Sequence, residues 1–293
     1  MTTGVLVMAY GTPRDRDDIE TYYTDIRRGR PPTPELLAEL VGRYDALGGT
    51  FPLRAITDRQ VAAIATALGD SYTVTLGTKH SSPKVEEGVA ELVSRGAQRI
   101  VGLVLAPHYS RFSIGEYAER AAKAGTELGV AVDTVSSWHL MPAYLSFLER
   151  AVADALAKVP SGSRVVFTAH SLPQRILDSG DPYPTQLRET ADSVAASMQL
   201  ADYDIGWQSA GRTPEPWLGP DVLEIVRERA AAGAPGLVIS ACGFVADHLE
   251  VAYDLDIEAA ALARELGLPF ARTASVNDDA SVMTALAELV AQR

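Results

Sequence analysis

Three carboxylates, Glu250, Asp254 and Glu258, recur every four residues within the stretch Gly243–Glu258, GFVADHLEVAYDLDIE. The apolar residues around them (Leu249, Val251, Ala252, Leu255, Ile257 and Ala259–Ala261) predict an α-helix, on which the three acids stack along one line. From Leu249 to Ala263 there is neither Lys nor Arg. Like charges at this spacing repel by about 0.2–0.5 kcal/mol per pair. A solvated helix face ordinarily intersperses basic partners, whereas a bare row of oxygen ligands suits an external divalent metal. An acidic surface face on an acidic protein is the competing reading. Asp256 points off the line and reads as surface charge.

The opposite sign gathers elsewhere. Arg27-Arg28-Gly29-Arg30, with Arg43 nearby, concentrates positive charge in a chain whose net charge is -12. That overall balance argues against nucleic acid, which needs a basic surface. A local basic cluster on such a protein fits an anionic small molecule, because guanidinium groups pair with carboxylates and phosphates. It fits equally well as the Arg-decorated C-terminus of a helix over Asp18–Arg28 that stops at Gly29. Single Cys242 excludes an intrachain disulfide and supplies neither an iron–sulfur cluster nor a four-thiolate zinc site. Cys242 itself reads as a small buried residue.

Elements able to position these groups are short apolar runs alternating with amphipathic segments. Strands are predicted at Val5–Ala9, Thr73–Leu76, Ile100–Leu105, Val130–Val135, Val165–Thr168, Tyr203–Trp207, Leu237–Ser240 and Phe270–Arg272. Between them, Asp58–Leu68, Lys84–Ser94, Ile114–Leu128, Ala143–Lys158, Pro182–Met198 and Asp221–Ala232 read as helices. This is an α/β pattern with two Rossmann-like lobes, each a four-stranded parallel sheet flanked by helices. The lobes are expected at residues 1–140 and 141–293, with the last helix packing back on the first. The chain of 293 residues, 47% hydrophobic, buries ample core for two domains. No run reaches a membrane span and the N-terminus lacks a signal-peptide pattern, so a cytoplasmic location is expected.

Ligands of such folds bind beyond the carboxyl ends of the strands. Three of the five His residues fall there: His80 in Thr78-Lys79-His80-Ser81, His108 in Ala106-Pro107-His108-Tyr109, and His170 in Thr168-Ala169-His170-Ser171. A strand-end His is either a hydrogen-bonded structural group or a ligand and base. Gly180-Asp181-Pro182-Tyr183 reads as a turn, then an Asp N-cap with Pro at the first helical position. The Pro-rich loop Gly211–Pro220 is stiff, and its Trp217 serves as core or as one wall of a flat pocket. No Walker loop, dinucleotide fingerprint or nucleophile elbow follows a strand.

Together, Tyr10-Gly11-Thr12-Pro13, Ile26–Arg30, Thr168–Pro173, Gly180–Tyr183, Trp207-Gln208-Ser209, Pro216–Pro220 and Gly243–Glu250 resemble ferrochelatase motifs, in the family's order over nearly the whole chain. The resemblance is strongest to bacterial coproporphyrin ferrochelatases, soluble monomers that insert ferrous iron into coproporphyrin III. It implies two Rossmann-like lobes with the macrocycle in the cleft between them. By the same resemblance, His170 and Glu250 are the paired catalytic and iron-site residues, and Asp254 and Glu258 extend them as a line for iron or protons. Tyr10 faces the metal from the other side of the ring, Arg27, Arg43 and Tyr44 contact propionates or porphyrin, and Tyr117 lines the pocket of the first lobe.

Arg28, Lys79 and Arg111 join this set on charge and strand-end placement. Thr50-Phe51 stands where the family places a small hydroxyl residue against the porphyrin, which leaves the contact of Phe51 open. Fe²⁺ and coproporphyrin III are then substrates, with no prosthetic group and no iron–sulfur cluster. The expected state is a monomer that makes transient contact with a downstream enzyme of haem synthesis. Alternatives are a protoporphyrin IX ferrochelatase, a cobalt or nickel chelatase acting on sirohydrochlorin, whose sites tend to pair two His residues, and a non-enzymatic haem carrier, which needs no acid row.

Overall fold

Runs such as Val5-Leu6-Val7-Met8, fully buried on both faces, can only be accommodated as central strands covered by helices on each side. In the computed structural model, which describes residues 2–49 and 52–293, that is their place. The strands are β1 (Thr3–Ala9), β2 (Tyr72–Thr78), β3 (Arg99–Val104), β4 (Ala131–Val135), β5 (Arg164–His170), β6 (Tyr203–Gln208), β7 (Leu237–Ser240) and β8 (Phe270–Arg272). They form two parallel sheets, ordered β2-β1-β3-β4 and β6-β5-β7-β8. Each predicted strand is present, within a few residues of its expected bounds. The chain divides into two compact units: residues 1–137, 246–249 and 277–293 form the first, and 138–245 and 250–276 the second.

Within the first unit, the terminal helix Ala280–Ala291 packs on the helix Pro52–Leu68. Polar contacts clamp the approach to it. Arg59 pairs with both Asp278 oxygens at 2.8 and 3.2 Å, and Gln60 donates to the Asn277 carbonyl at 2.8 Å. Asn277, with φ of 46°, donates its amide to Asp247 at 2.9 Å and accepts from the Asp247 N–H at 2.9 Å. The Gly-Phe-Val-Ala-Asp-His motif is thereby anchored to the C-terminal segment by local hydrogen bonds.

In the second unit the sheet end is shaped by a glycine. After β7 the chain passes so close to β5 that a Cβ on Gly243 would lie 2.3 Å from the Ala169 Cβ and 2.6 Å from its Cα. The Gly243 N–H donates to the Thr168 carbonyl at 2.9 Å. Only glycine permits this approach, one residue before His170.

Two local expectations are corrected. The segment after Leu249 is not a continuous α-helix. Leu249–Val251 is α, Ala252–Ala259 is π-helical, and Ala260–Glu265 is α again. The cause is legible in the apolar repeat. Val251, Leu255, Ala259 and Ala263 are all fully buried at strict four-residue intervals. In an α-helix of 3.6 residues per turn, each four-residue step drifts by about 40°, so the stripe would wander off the core. Wider π turns drift the opposite way, so the mixed α and π winding of this segment keeps the stripe on the core. At the helix after the Gly180 turn, the cap is Pro182 rather than Asp181, with Pro184 in its first turn, because Asp181 Oδ1 accepts the Tyr183 N–H at 3.0 Å from outside the helix.

The glycine crossing carries a test. Gly243→Ala is expected to destabilise the protein by about 1–3 kcal/mol through overpacking against backbone-fixed Ala169, read by urea denaturation. An unchanged midpoint would show that the crossing has room to spare.

Candidate metal-insertion site

His170 closes β5, and Glu250 begins the helical segment that follows β7, the strand paired directly with β5. The parallel pairing delivers both side chains to the same sheet end. His170 Nε2 and Glu250 Oε2 lie 3.7 Å apart, and each side chain is about one-third exposed, at 35% and 36%. The imidazole is oriented from behind: Nδ1–H donates to the Ser171 carbonyl at 2.5 Å, which turns Nε2 toward Glu250. The His170 carbonyl accepts the Tyr183 hydroxyl at 3.0 Å, and the Phe244 ring stands edge-on at 6.4 Å.

Electrostatics at this pair are set by the acids. Burial opposes protonation of His170, but the Glu250 charge and hydrogen bond, the Ser171 carbonyl and the Asp254 charge outweigh it, so its pKa is raised above the ordinary imidazole value. Asp254 is only 7% exposed and accepts a hydrogen bond from the Ser209 hydroxyl at 2.5 Å. Glu258 is half-buried further along the π-helical segment, while Asp256 is exposed and bidentate with Arg272 at 2.6 and 2.8 Å. The counter-ion missing from the helix itself therefore comes to Asp256 from β8. Among the described residues, no three His, Cys, Asp or Glu side chains converge as a closed metal cluster. The His170–Glu250 pair thus offers two candidate donors, one imidazole nitrogen and one carboxylate.

In the first unit, Tyr10 follows β1 and is 45% exposed. Its ring lies 4.7 Å from that of His80, whose N–H donates to the Tyr10 carbonyl at 3.0 Å. His80 is in turn held by Asp25, with Nδ1–H donating to Oδ2 at 2.8 Å, and Lys84 reaches the other Asp25 oxygen at 2.7 Å. Burial lowers the His80 pKa despite Asp25, and the nearby Lys79 and Lys84 charges lower it further, which keeps the ring neutral. From the sequence His80 is only one of three strand-end His residues, Ser209 lies in a motif without a role of its own, and nothing marks Asp25.

The other first-unit candidates scatter in character. Arg27 is half-buried, follows the helix Ile19–Ile26, stacks 5.7 Å from the Tyr23 ring and donates to the Arg30 carbonyl. Arg28 is exposed, in a left-handed conformation with φ of 58°. Arg43 pairs with Glu39 at 3.4 Å, one turn back on its own helix, next to buried Tyr44. Tyr117 lies within the hydrophobic core, where burial raises its pKa well above the usual phenol value. Lys79 sits 5.6 Å from that ring and is paired internally with Glu116. Arg111 is exposed, and Phe51 lies outside the described residues. In the second unit, Trp217 packs over Gly211 of its own loop and donates to Thr213 at 2.9 Å, and burial pushes the Cys242 thiol up to about 12.

The solved structures that resemble this chain share its fold at low identity. SirB from Bacillus subtilis, solved with Fe³⁺, superimposes with a TM-score of 0.64 at 11% identity, over 100% of this chain and 95% of that one. CbiX, described as the terminal enzyme of sirohaem biosynthesis in denitrifying bacteria, gives 0.56 at 16%, over 98% and 99%. At the sequence level the likeness is much closer. The coproporphyrin III ferrochelatase of Halalkalibacterium halodurans is 42% identical over 99% of this chain and 96% of its own length. That of Geobacillus kaustophilus is 43% identical over 100% and 96%. The ferrochelatase family model matches residues 2–293. With the His–Glu pair at the sheet end and this full-length match, the chain belongs to the ferrochelatase family.

Proposed function

We propose that this protein inserts Fe²⁺ into coproporphyrin III, with His170 and Glu250 as the residues that handle the metal. The observation that carries the reading is the 3.7 Å gap between His170 Nε2 and Glu250 Oε2. An ion about 2.1 Å from each donor, a usual divalent metal–ligand distance, bridges that gap comfortably. Full-length relatives at 42–43% identity bear the name coproporphyrin III ferrochelatase, which supports the choice of substrate.

Insertion exchanges one ferrous ion for two pyrrole protons, so the site must do two jobs. Glu250 and His170 displace waters from the incoming ion while leaving positions open to the macrocycle nitrogens. As the iron leaves them, His170 Nε2 accepts one pyrrole proton and Glu250 the other, and Asp254 and Glu258 pass both on to solvent. The acid row has its use here as a set of proton acceptors behind the pair. Arg27 and Arg43 supply guanidinium partners for the propionates, and Tyr10 and Tyr44 supply ring contacts. The protein is expected to act as a cytoplasmic monomer. Among its described residues, no helix is long and apolar enough to cross a membrane.

Anaerobic assay of the purified protein with Fe²⁺ and either coproporphyrin III or protoporphyrin IX tests the substrate directly, and preference for the less carboxylated ring would overturn it. His170→Ala is expected to lower turnover at least about 10²-fold, the scale of a lost acid–base group, with an unchanged circular dichroism spectrum. Full activity in that variant removes His170 from the mechanism.

A pH measurement reads the acid pair independently. The raised His170 value adds stability that is complete below the ordinary imidazole pKa and is lost as pH rises through the raised one. Insertion needs the neutral ring, so kcat/KM should climb with pH through a value above the ordinary one of about 6.5. In NMR titration of the metal-free protein, Glu250→Gln is expected to move the His170 transition to lower pH. A transition that stays in place would dissociate the two groups.

A further inference from the structure

The residue that follows β6 is strained and yet is not glycine. Ser209 has φ of 56°, a left-handed conformation that an L-residue with a Cβ adopts at a cost and that Gly or Asn tolerates. Its surroundings hold it there. The Gln208 carbonyl accepts the Ser171 N–H at 2.7 Å, and the buried Gln208 side chain accepts the Thr168 hydroxyl at 2.7 Å. A turn that served only to reverse the chain would be better built with glycine. What serine adds is a hydroxyl, and that hydroxyl donates to Asp254 Oδ2 at 2.5 Å. Strain retained at a residue whose side chain reaches a nearly buried acid points to a task at that acid.

We propose that Ser209 is a positioning residue for metal insertion, holding the Asp254 carboxylate in line behind the His170–Glu250 pair. The inference rests on the reading of His170, Glu250 and Asp254 as the metal-handling groups, and deepens it. Asp254 lies in the π-helical segment, nearly buried, four residues beyond Glu250. The hydrogen bond from the residue at the strand end holds one carboxylate oxygen in place. Ser209 touches neither metal nor porphyrin in this scheme; it acts through Asp254.

Substitution by glycine separates strain from function. Ser209→Gly relieves the left-handed residue while removing its hydrogen bond to Asp254, two opposed effects on stability, so its thermal midpoint should stay within a few degrees of the parent. Its kcat/KM for Fe²⁺ should nevertheless fall about tenfold, the scale of one lost hydrogen bond to a charged group. Coproporphyrin affinity, read by fluorescence quenching in the absence of metal, should not change. In the Asp254→Ala background, Ser209→Gly should cause no further loss, because both remove the same interaction. A Ser209→Gly protein within about twofold of parent activity, or losses that multiply in the double variant, would overturn the proposal. Full activity of Asp254→Ala alone would overturn the reading of the acid row with it. A crippled Asp254→Ala beside an unaffected Ser209→Gly overturns only the role of Ser209.

Discussion

The approach of the chain after β7 to the end of β5 is the constraint on which the site depends. Parallel pairing of these strands sends both carboxyl ends to one edge of the sheet, and Gly243 brings the following segment into backbone contact with Ala169. Any side chain at 243 would push the Glu250 segment away from His170. The His170–Glu250 pair therefore owes its 3.7 Å separation to a missing Cβ seven residues before the acid. An imidazole and a carboxylate are held side by side by backbone packing.

The π-helical segment extends the same logic. A buried stripe repeating every four residues and an acid row repeating every four residues are the same periodicity on neighbouring faces. An α-helix keeps neither aligned, since each step drifts by about 40°. Loosening the winding keeps Val251, Leu255, Ala259 and Ala263 in the core and, with them, Glu250, Asp254 and Glu258 in a row. The repulsion between these carboxylates is tolerated because the neighbouring apolar stripe holds the segment to the core.

Polar support falls into two separate groups. In the second unit, Ser171 and Tyr183 orient His170, and Ser209 orients Asp254. In the first, Asp25, itself held by Lys84, fixes His80 beside the exposed ring of Tyr10. Several charged candidates prove to be internally committed: Lys79 to Glu116 and Arg43 to Glu39. For an anion to recruit either one, it must compete with a carboxylate already in place, an exchange that costs little at a surface.

Strand positions were legible from the sequence because parallel sheets covered on both faces demand unbroken apolar runs, and few other structures do. The acid row, the strand-end His170 and the family resemblance were equally visible, since residue type and local spacing carry them. The Asp25–His80 contact joins residues 55 positions apart, and Ser209 reaches Asp254 across 45; no local pattern encodes such pairs. The winding of the acidic segment was encoded in its four-residue apolar repeat, but that repeat reads as α until a core is present to require strict alignment. The sequence by itself determined which side chains could do the chemistry and which strands would carry them. Tertiary structure alone decided which of them meet, because side-chain encounters depend on backbone approaches, such as the one at Gly243, that only packing creates.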